Sequence, residues 1–194
     1  SFSVRAQDSL PNGFRFDVTG SKLFMVGSST DIVYQYSLTT AWDISTASYD
    51  TVSFSFVAQQ NNPTDLSFNT TGTKMYVLGM QGDTAYQYTL STAFDLSTAS
   101  YDSVSFYVGS EEGNPLGFIF NPDGDKMYVV GFGTDTVYQY SLSTGFDLST
   151  ASYDSVSFSV GAQDSSPRSI AFKSDGSKMY IAGPSDFVYQ YSTT

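Results

Sequence analysis

One 52-residue period runs through this chain of 194 residues and leaves few folds open to it. Lys22, Lys74, Lys126 and Lys178 each open the same apolar motif, Lys-Leu-Phe once and Lys-Met-Tyr three times. Pro11, Pro63, Pro115 and Pro167 keep the same step, as do Tyr34-Gln35-Tyr36, Tyr86-Gln87-Tyr88 and Tyr138-Gln139-Tyr140. The last copy, Tyr189-Gln190-Tyr191, falls one residue short because the loop before it is shorter. A fixed period of this size marks supersecondary units that stack on their neighbours, since one unit cannot bury both of its faces.

Each unit reads as four short strands. The first follows the proline and alternates with period two, as in Leu66-Ser67-Phe68. A turn with Gly20, Gly72, Gly124 or Gly176 leads to a continuously apolar second strand such as Met127-Tyr128-Val129-Val130, suited to burial on both faces. The third strand carries Tyr-Gln-Tyr. A Ser/Thr-rich connection, residues 94–102 in the second unit, leads to a fourth strand such as Val104-Ser105-Phe106. No segment has a helical period. Four antiparallel strands in about fifty residues make one blade of a β-propeller. The expected fold is therefore all-β: a single propeller domain over residues 1–194, with four blades of four strands. Residues 1–4 repeat residues 157–160 as Ser-Phe-Ser-Val, so the N-terminal strand is expected to complete the last blade. Closure within the chain is favoured over exchange between chains, because either removes an exposed sheet edge.

Composition narrows the chemistry. The chain has no Cys and no His, which removes disulfides, thiolates and the commonest general base and metal ligand. Nineteen acidic against eight basic residues give a net charge of -11, which repels nucleic-acid phosphates. No run approaches the roughly 20 apolar residues of a membrane-spanning helix. Hydroxyl residues, 32 Ser and 20 Thr, dominate a Tyr- and Phe-rich background, a palette that points to an extracellular or cell-surface protein.

The pattern Pro-x-x-Leu-x-Phe-Asn-x-x-Gly-x-Lys-Met-Tyr-Val-x-Gly, followed by Asp-x-x-Tyr-Gln-Tyr, resembles the YVTN and NHL-like propeller repeats of bacterial and archaeal secreted or surface proteins. That resemblance covers essentially the whole chain. It implies the propeller fold and says little of activity, because propellers host enzymes, lectins and scaffolds alike.

Repetition separates scaffold from candidate site. Residues 86–106 and 138–158 are identical at 19 of 21 positions, whereas catalysis needs different groups converging on one spot. The repeated Asp31, Asp83, Asp135 and Asp186, Asp43, Asp95 and Asp147, and Asp50, Asp102 and Asp154 are read as turn caps rather than calcium ligands. The repeated Tyr rings are read as packing rather than sugar-stacking platforms. In a propeller, the fourth-to-first and second-to-third connections share one face, and those are the loops that vary here. Their distinctive residues, the candidates for ligand or partner binding, are Arg5, Asn12, Arg15, Met80, Gln81, Glu111, Glu112, Phe132 and Arg168. Asn69-Thr70-Thr71 is a glycosylation sequon. No cofactor, metal or catalytic residue is assigned. The expected function is a non-enzymatic binding or self-assembly module, possible as a filament, whose partners are further copies, another surface protein or a glycan. The alternative is a propeller enzyme of lactonase-like hydrolase or lyase type, with Glu111, Glu112 and Arg168 near one face.

Overall fold

The computed structural model describes residues 1–193. Its strands form four antiparallel sheets, each a blade with its strands in chain order. Blade 1 holds β1 (Pro11–Phe16), β2 (Lys22–Gly27), β3 (Ile32–Leu38) and β4 (Ala47–Ser55). Blade 2 holds β5 (Pro63–Phe68), β6 (Lys74–Gly79), β7 (Thr84–Leu90) and β8 (Ala99–Tyr107). Blade 3 holds β9 (Pro115–Phe120), β10 (Lys126–Gly131), β11 (Thr136–Leu142) and β12 (Ala151–Ser159). Blade 4 holds β13 (Ser169–Phe172), β14 (Lys178–Ala182) and β15 (Val188–Ser192). The fold is an all-β propeller of four blades, as the repeat predicts.

The chain divides into two compact units. One comprises Ser1–Gln81 with Tyr86–Val104; the other comprises Gly82–Ala85 with Ser105–Thr194. In the first unit, Phe24, Val26 and Val33 of blade 1 are buried against Leu66, Met75, Val77 and Tyr88 of blade 2. In the second, Val130 and Val137 of blade 3 are buried against Ile170, Met179 and Ile181 of blade 4. The apolar second strands thus lie between blades, and their burial drives the stacking.

The turns show why the repeat keeps its punctuation. Gly20, Gly72 and Gly124 have φ of 70–72°, a region open to glycine at no steric cost. An aromatic ring, Trp42, Phe94 or Phe146, lies directly on each, where a Cβ would collide with it. Asp43, Asp95 and Asp147 cap the three short 3-10 turns Ile44–Thr46, Leu96–Thr98 and Leu148–Thr150 by accepting from Ser45, Ser97 and Ser149 N–H, each at 3.0 Å.

Two expectations change in detail. The fourth strands begin earlier than the Ser/Thr-rich composition suggests: Ala47, Ser48 and Tyr49 already pair with Leu38, Ser37 and Tyr36. A bulge then shifts the register between Gln35 and Tyr36, and Thr51 takes a left-handed φ of 58°. Blade 3 repeats this between Gln139 and Tyr140, with Ser155 at 57°. The second difference concerns residues 1–4, which join no ladder, while the fourth sheet has three described strands. Phe2 and Val4 instead pack on the apolar face of blade 1 formed by Leu23, Met25 and Tyr36. Phe2 meets Tyr36 edge-on at 5.5 Å, as Phe54 of β4 meets Tyr88 at 5.2 Å. Side-chain packing of fourth-strand type is present there without the backbone ladder.

Candidate functional site

Most of the repeated polar residues are occupied in holding blades together. Asp102 accepts from Lys74 Nζ at 2.6 Å, Gln87 Nε2 at 2.9 Å and Thr89 Oγ1 at 2.6 Å. Asp154 accepts likewise from Lys126 at 2.9 Å and Gln139 at 2.8 Å. In blade 1, Asp50 accepts from Gln35 Nε2 at 2.9 Å and Ser37 Oγ at 3.0 Å. Burial works against ionisation of Asp102, but the bonds from Lys74, Thr89 and Gln87 outweigh it and hold its carboxyl below the usual carboxylate range. The bulge in each fourth strand is what turns this Asp toward its partners. Gln35 also accepts from Leu96 N–H at 3.0 Å, so the network of blade 1 reaches the 3-10 turn of blade 2. These aspartates and glutamines are scaffold, as their repetition suggests.

Glu111 and Glu112 belong to the same class. Glu112 is fully buried and clasps the β10–β11 turn, accepting from Gly133 N at 2.8 Å, Thr134 N at 3.2 Å and Thr134 Oγ1 at 2.7 Å, and from Asn114 N at 2.9 Å. Asp8 does this for the β2–β3 turn through Thr30 N at 3.1 Å and Thr30 Oγ1 at 2.7 Å, and binds Leu10 N at 2.7 Å. Asp164 binds Ser185 Oγ and Ser166 N, each at 2.9 Å. Gln60 fills the position in blade 2, with its amide oxygen 2.9 Å from Gly79 N and its nitrogen 3.1 Å from Gln81 O. Positions 8, 60, 112 and 164 lie one period apart. Glu111 accepts from Tyr140 Oη at 3.3 Å, where Gln7, Gln59 and Gln163 meet Tyr36, Tyr88 and Tyr191. Burial first, then the Glu111 charge, push the Tyr140 hydroxyl upward from its ordinary pKa. The period itself carried the signal that these two glutamates are structural.

The most distinctive polar constellation lies on the first strands of unit 1. Gly13 on β1 lets β5 approach so closely that a Cβ there would sit 2.9 Å from Asp65 Cα. That approach sets Arg15 Nη2 2.8 Å from Asp65 Oδ2, while Arg15 Nη1 donates to Phe14 O at 2.8 Å. Asn12 Nδ2 donates to Pro63 O at 2.6 Å. Asp65 is buried and Arg15 half-buried, so the guanidinium keeps access to solvent from a rigid seat. The period places Ser67, Ile119 and Ala171 at the position of Arg15, and Gly13, Gly117 and Ser169 at that of Asp65. No other blade can copy the pair. Asp65 itself escaped the sequence reading, because a single Asp at the head of a strand carries no motif.

The remaining candidates do not join this group. Met80 N donates to Asn62 O at 3.1 Å, and Gln81 O accepts from Gln60, so both belong to the clasped β6–β7 turn. Arg5 is exposed, with its backbone N–H 3.4 Å from Ser3 Oγ. In unit 2, Phe132 is exposed on the turn clasped by Glu112, and Arg168 is exposed, with its backbone carbonyl close against Gly117. Asn69 is engaged as a turn clamp: its Nδ2 donates to Thr71 and Thr73 hydroxyls at 3.0 and 3.1 Å, and its Oδ1 accepts from Lys74 N at 3.0 Å. A glycan there would have to displace those bonds.

Residues 111–184 match the family model described as lactonase, 7-bladed beta-propeller. No curated protein matches the chain. Among solved structures, a protein provisionally assigned as a 6-phosphogluconolactonase from Bacteroides uniformis is 12% identical, with a TM-score of 0.66 over 100% of this chain and 54% of that one. A second, from Bacteroides fragilis, is 14% identical, with a TM-score of 0.66 over 95% of this chain and 51% of that one. The Cps50 (Swd1) beta-propeller domain of Myceliophteria thermophila is 11% identical, with a TM-score of 0.60 over 98% and 56%. This chain therefore spans about half the length of the solved structures it matches, and at these identities they share its fold alone. The β-propeller family is supported. The expectation of a non-enzymatic binding or self-assembly module is overturned: the lactonase match favours the enzyme alternative. The near-identity of the blades misled because it is confined to the scaffold network, and it leaves room for a unique pair such as Arg15 and Asp65.

Proposed function

We propose that this chain is part of a lactonase-like propeller hydrolase, which opens cyclic esters with water. The observation that carries this reading is the lactonase family match over residues 111–184. In such a reaction water adds to the carbonyl carbon, the ring C–O bond breaks, and the departing alkoxide takes a proton to give a hydroxy acid. The chain has no His or Cys, so proton handling falls to carboxylates and charge stabilisation to cations. Arg15 and Asp65 supply one of each at 2.8 Å. The guanidinium is suited to the developing oxyanion, and the carboxylate to orienting the attacking water. The repeat resembles YVTN and NHL-like blades as well, and the same blade chemistry serves either lineage.

The test is proton release in a pH-stat, with five- and six-membered lactones as probes and the protein at its full natural length. Acceleration above the buffer rate is expected, with a loss of about 10²-fold or more in Arg15→Ala and Asp65→Asn. Buffer-level rates with every lactone would overturn the hydrolase reading. Activity unchanged in both variants would move the site elsewhere.

A further inference from the structure

Blade 1 carries an apolar face that its own unit shows how to cover. Inside unit 1, the face of blade 2 turned toward blade 1 is sealed: Leu66 is 0% exposed and Leu96 1%. The equivalent residues of blade 1, Phe14 and Ile44, are 59% and 40% exposed, and Trp42, the counterpart of Phe94, is 61% exposed. Three large side chains grouped on one face exceed the scattered apolar residues normal for a surface.

The sealed interface shows which groups do the covering. Phe24 of blade 1 stacks on Phe68 at 4.6 Å and reaches Phe94 at 6.2 Å. Gln35 accepts from Leu96 N–H at 3.0 Å, and Lys22 Nζ donates to Phe94 O at 2.7 Å. Blade 1 presents the same landing points one period earlier. Phe16 and Trp42 stand for Phe68 and Phe94, with ring centroids 5.2 Å apart, and Ile44 N–H stands for Leu96 N–H. Part of the cover is already in place. Phe2 sits on Tyr36 as Phe54 sits on Tyr88, so residues 1–4 take the position of a fourth strand whose first three strands are not on the page.

We propose that the exposed face of blade 1 is a docking surface for a further blade of this same repeat, for which residues 1–4 provide the fourth-strand contact. The occupant presents a Phe or Tyr at the position of Phe24, a Gln at that of Gln35 and a Lys at that of Lys22. It thereby stacks on Phe16 and Trp42, accepts from Ile44 N–H, and donates to the Trp42 carbonyl. Continuity with the interface between blades 1 and 2 argues for this partner over an unrelated apolar segment, because the polar contacts fall at the same spacing as the apolar ones.

Trp42 is the only tryptophan of the chain, so its emission reports this face directly. The chain is extended ahead of Ser1 by a copy of residues 115–156, which brings a Lys, Tyr and Gln from the positions of Lys126, Tyr128 and Gln139. The expected result is a shift of Trp42 emission to shorter wavelength and a several-fold fall in acrylamide quenching, partly reversed when the added Gln is changed to Ala. A folded extension that leaves Trp42 as open to quencher as before overturns the proposal. A second extension, copied from residues 63–104, guards against a fault peculiar to the first; if both fail to fold onto the chain, the proposal falls. Shielding of Trp42 in the unextended chain, together with a doubled mass, assigns the face to a second copy and also overturns it.

Discussion

Replacing Asp83 by Asn should stabilise the protein, although it deletes a charge from the repeated motif. Asp83 and Asp135 each bury a carboxylate oxygen, Oδ1, that has no hydrogen-bond partner, whereas Asp31 Oδ1 accepts from Asn62 N at 2.9 Å. The difference traces to the clasp position. Gln60 leaves Asn62 N–H free for Asp31, but Glu112 and Asp164 take the corresponding N–H groups of Asn114 and Ser166. Asp83 and Asp135 are left facing acids. Burial first, then the Glu112 charge, raise the pKa of Asp83; burial, Glu112 and Asp164 do so for Asp135. A buried acceptor without a partner costs about 1–3 kcal/mol. An Asn side chain removes the charge and offers a donor to Glu112, and it suits the left-handed φ of 47° at this residue. We expect a gain of about 1 kcal/mol, or roughly 2–4 °C in Tm for a chain of this size. The pH dependence fixes the sign. Because the folded pKa is raised, the wild-type protein binds this proton more readily when folded, and the penalty is present above the raised pKa and disappears below the unfolded value. Thermal melts followed by circular dichroism at neutral pH and again below the carboxylate range should show the advantage at the first and not at the second. A loss of stability at neutral pH, or a gain of equal size at both, would refute the account.

Two further outcomes test the scaffold. Leu96→Ala removes a fully buried side chain from the interface between blades 1 and 2 and should cost about 2–5 kcal/mol in denaturant titration. Asp102→Ala strands Lys74 and Gln87 and should cost about 3–5 kcal/mol at neutral pH; since the folded Asp102 pKa is depressed, that cost should shrink as pH falls through it.

The period made the four blades legible before any coordinates, because Lys, Gly and Tyr-Gln-Tyr fall where hairpin turns and interblade strands require them. It also exposed the structural aspartates. It hid the fourth-strand bulge, since Ser-Tyr-Asp reads as loop composition although Tyr49 pairs with Tyr36 and the bulge aims Asp50 inward. Glu111 and Glu112 looked distinctive because acids replaced Gln and Gln at 59 and 60, yet those positions do the same work in every blade. The functional reading failed for a different reason. Arg15 was visible as an unusual residue, but its partner depends on Gly13 admitting β5, a contact 50 residues away in sequence that no local pattern encodes.

A chain of near-copies also has to tell its parts apart while it folds. Residues 86–106 would find almost the same partners 52 residues further on, so the shared network of Lys, Gln and Asp gives no penalty for pairing in the wrong place. The Arg15–Asp65 ion pair supplies that information. Blade 2 alone offers an acid at this position, and only blade 1 offers a cation to meet it. Any arrangement that sets blade 1 beside another neighbour leaves Asp65 buried without its guanidinium. The pair therefore acts as a label that makes the order of blades matter, and it penalises the misassembled states that the repetition otherwise invites.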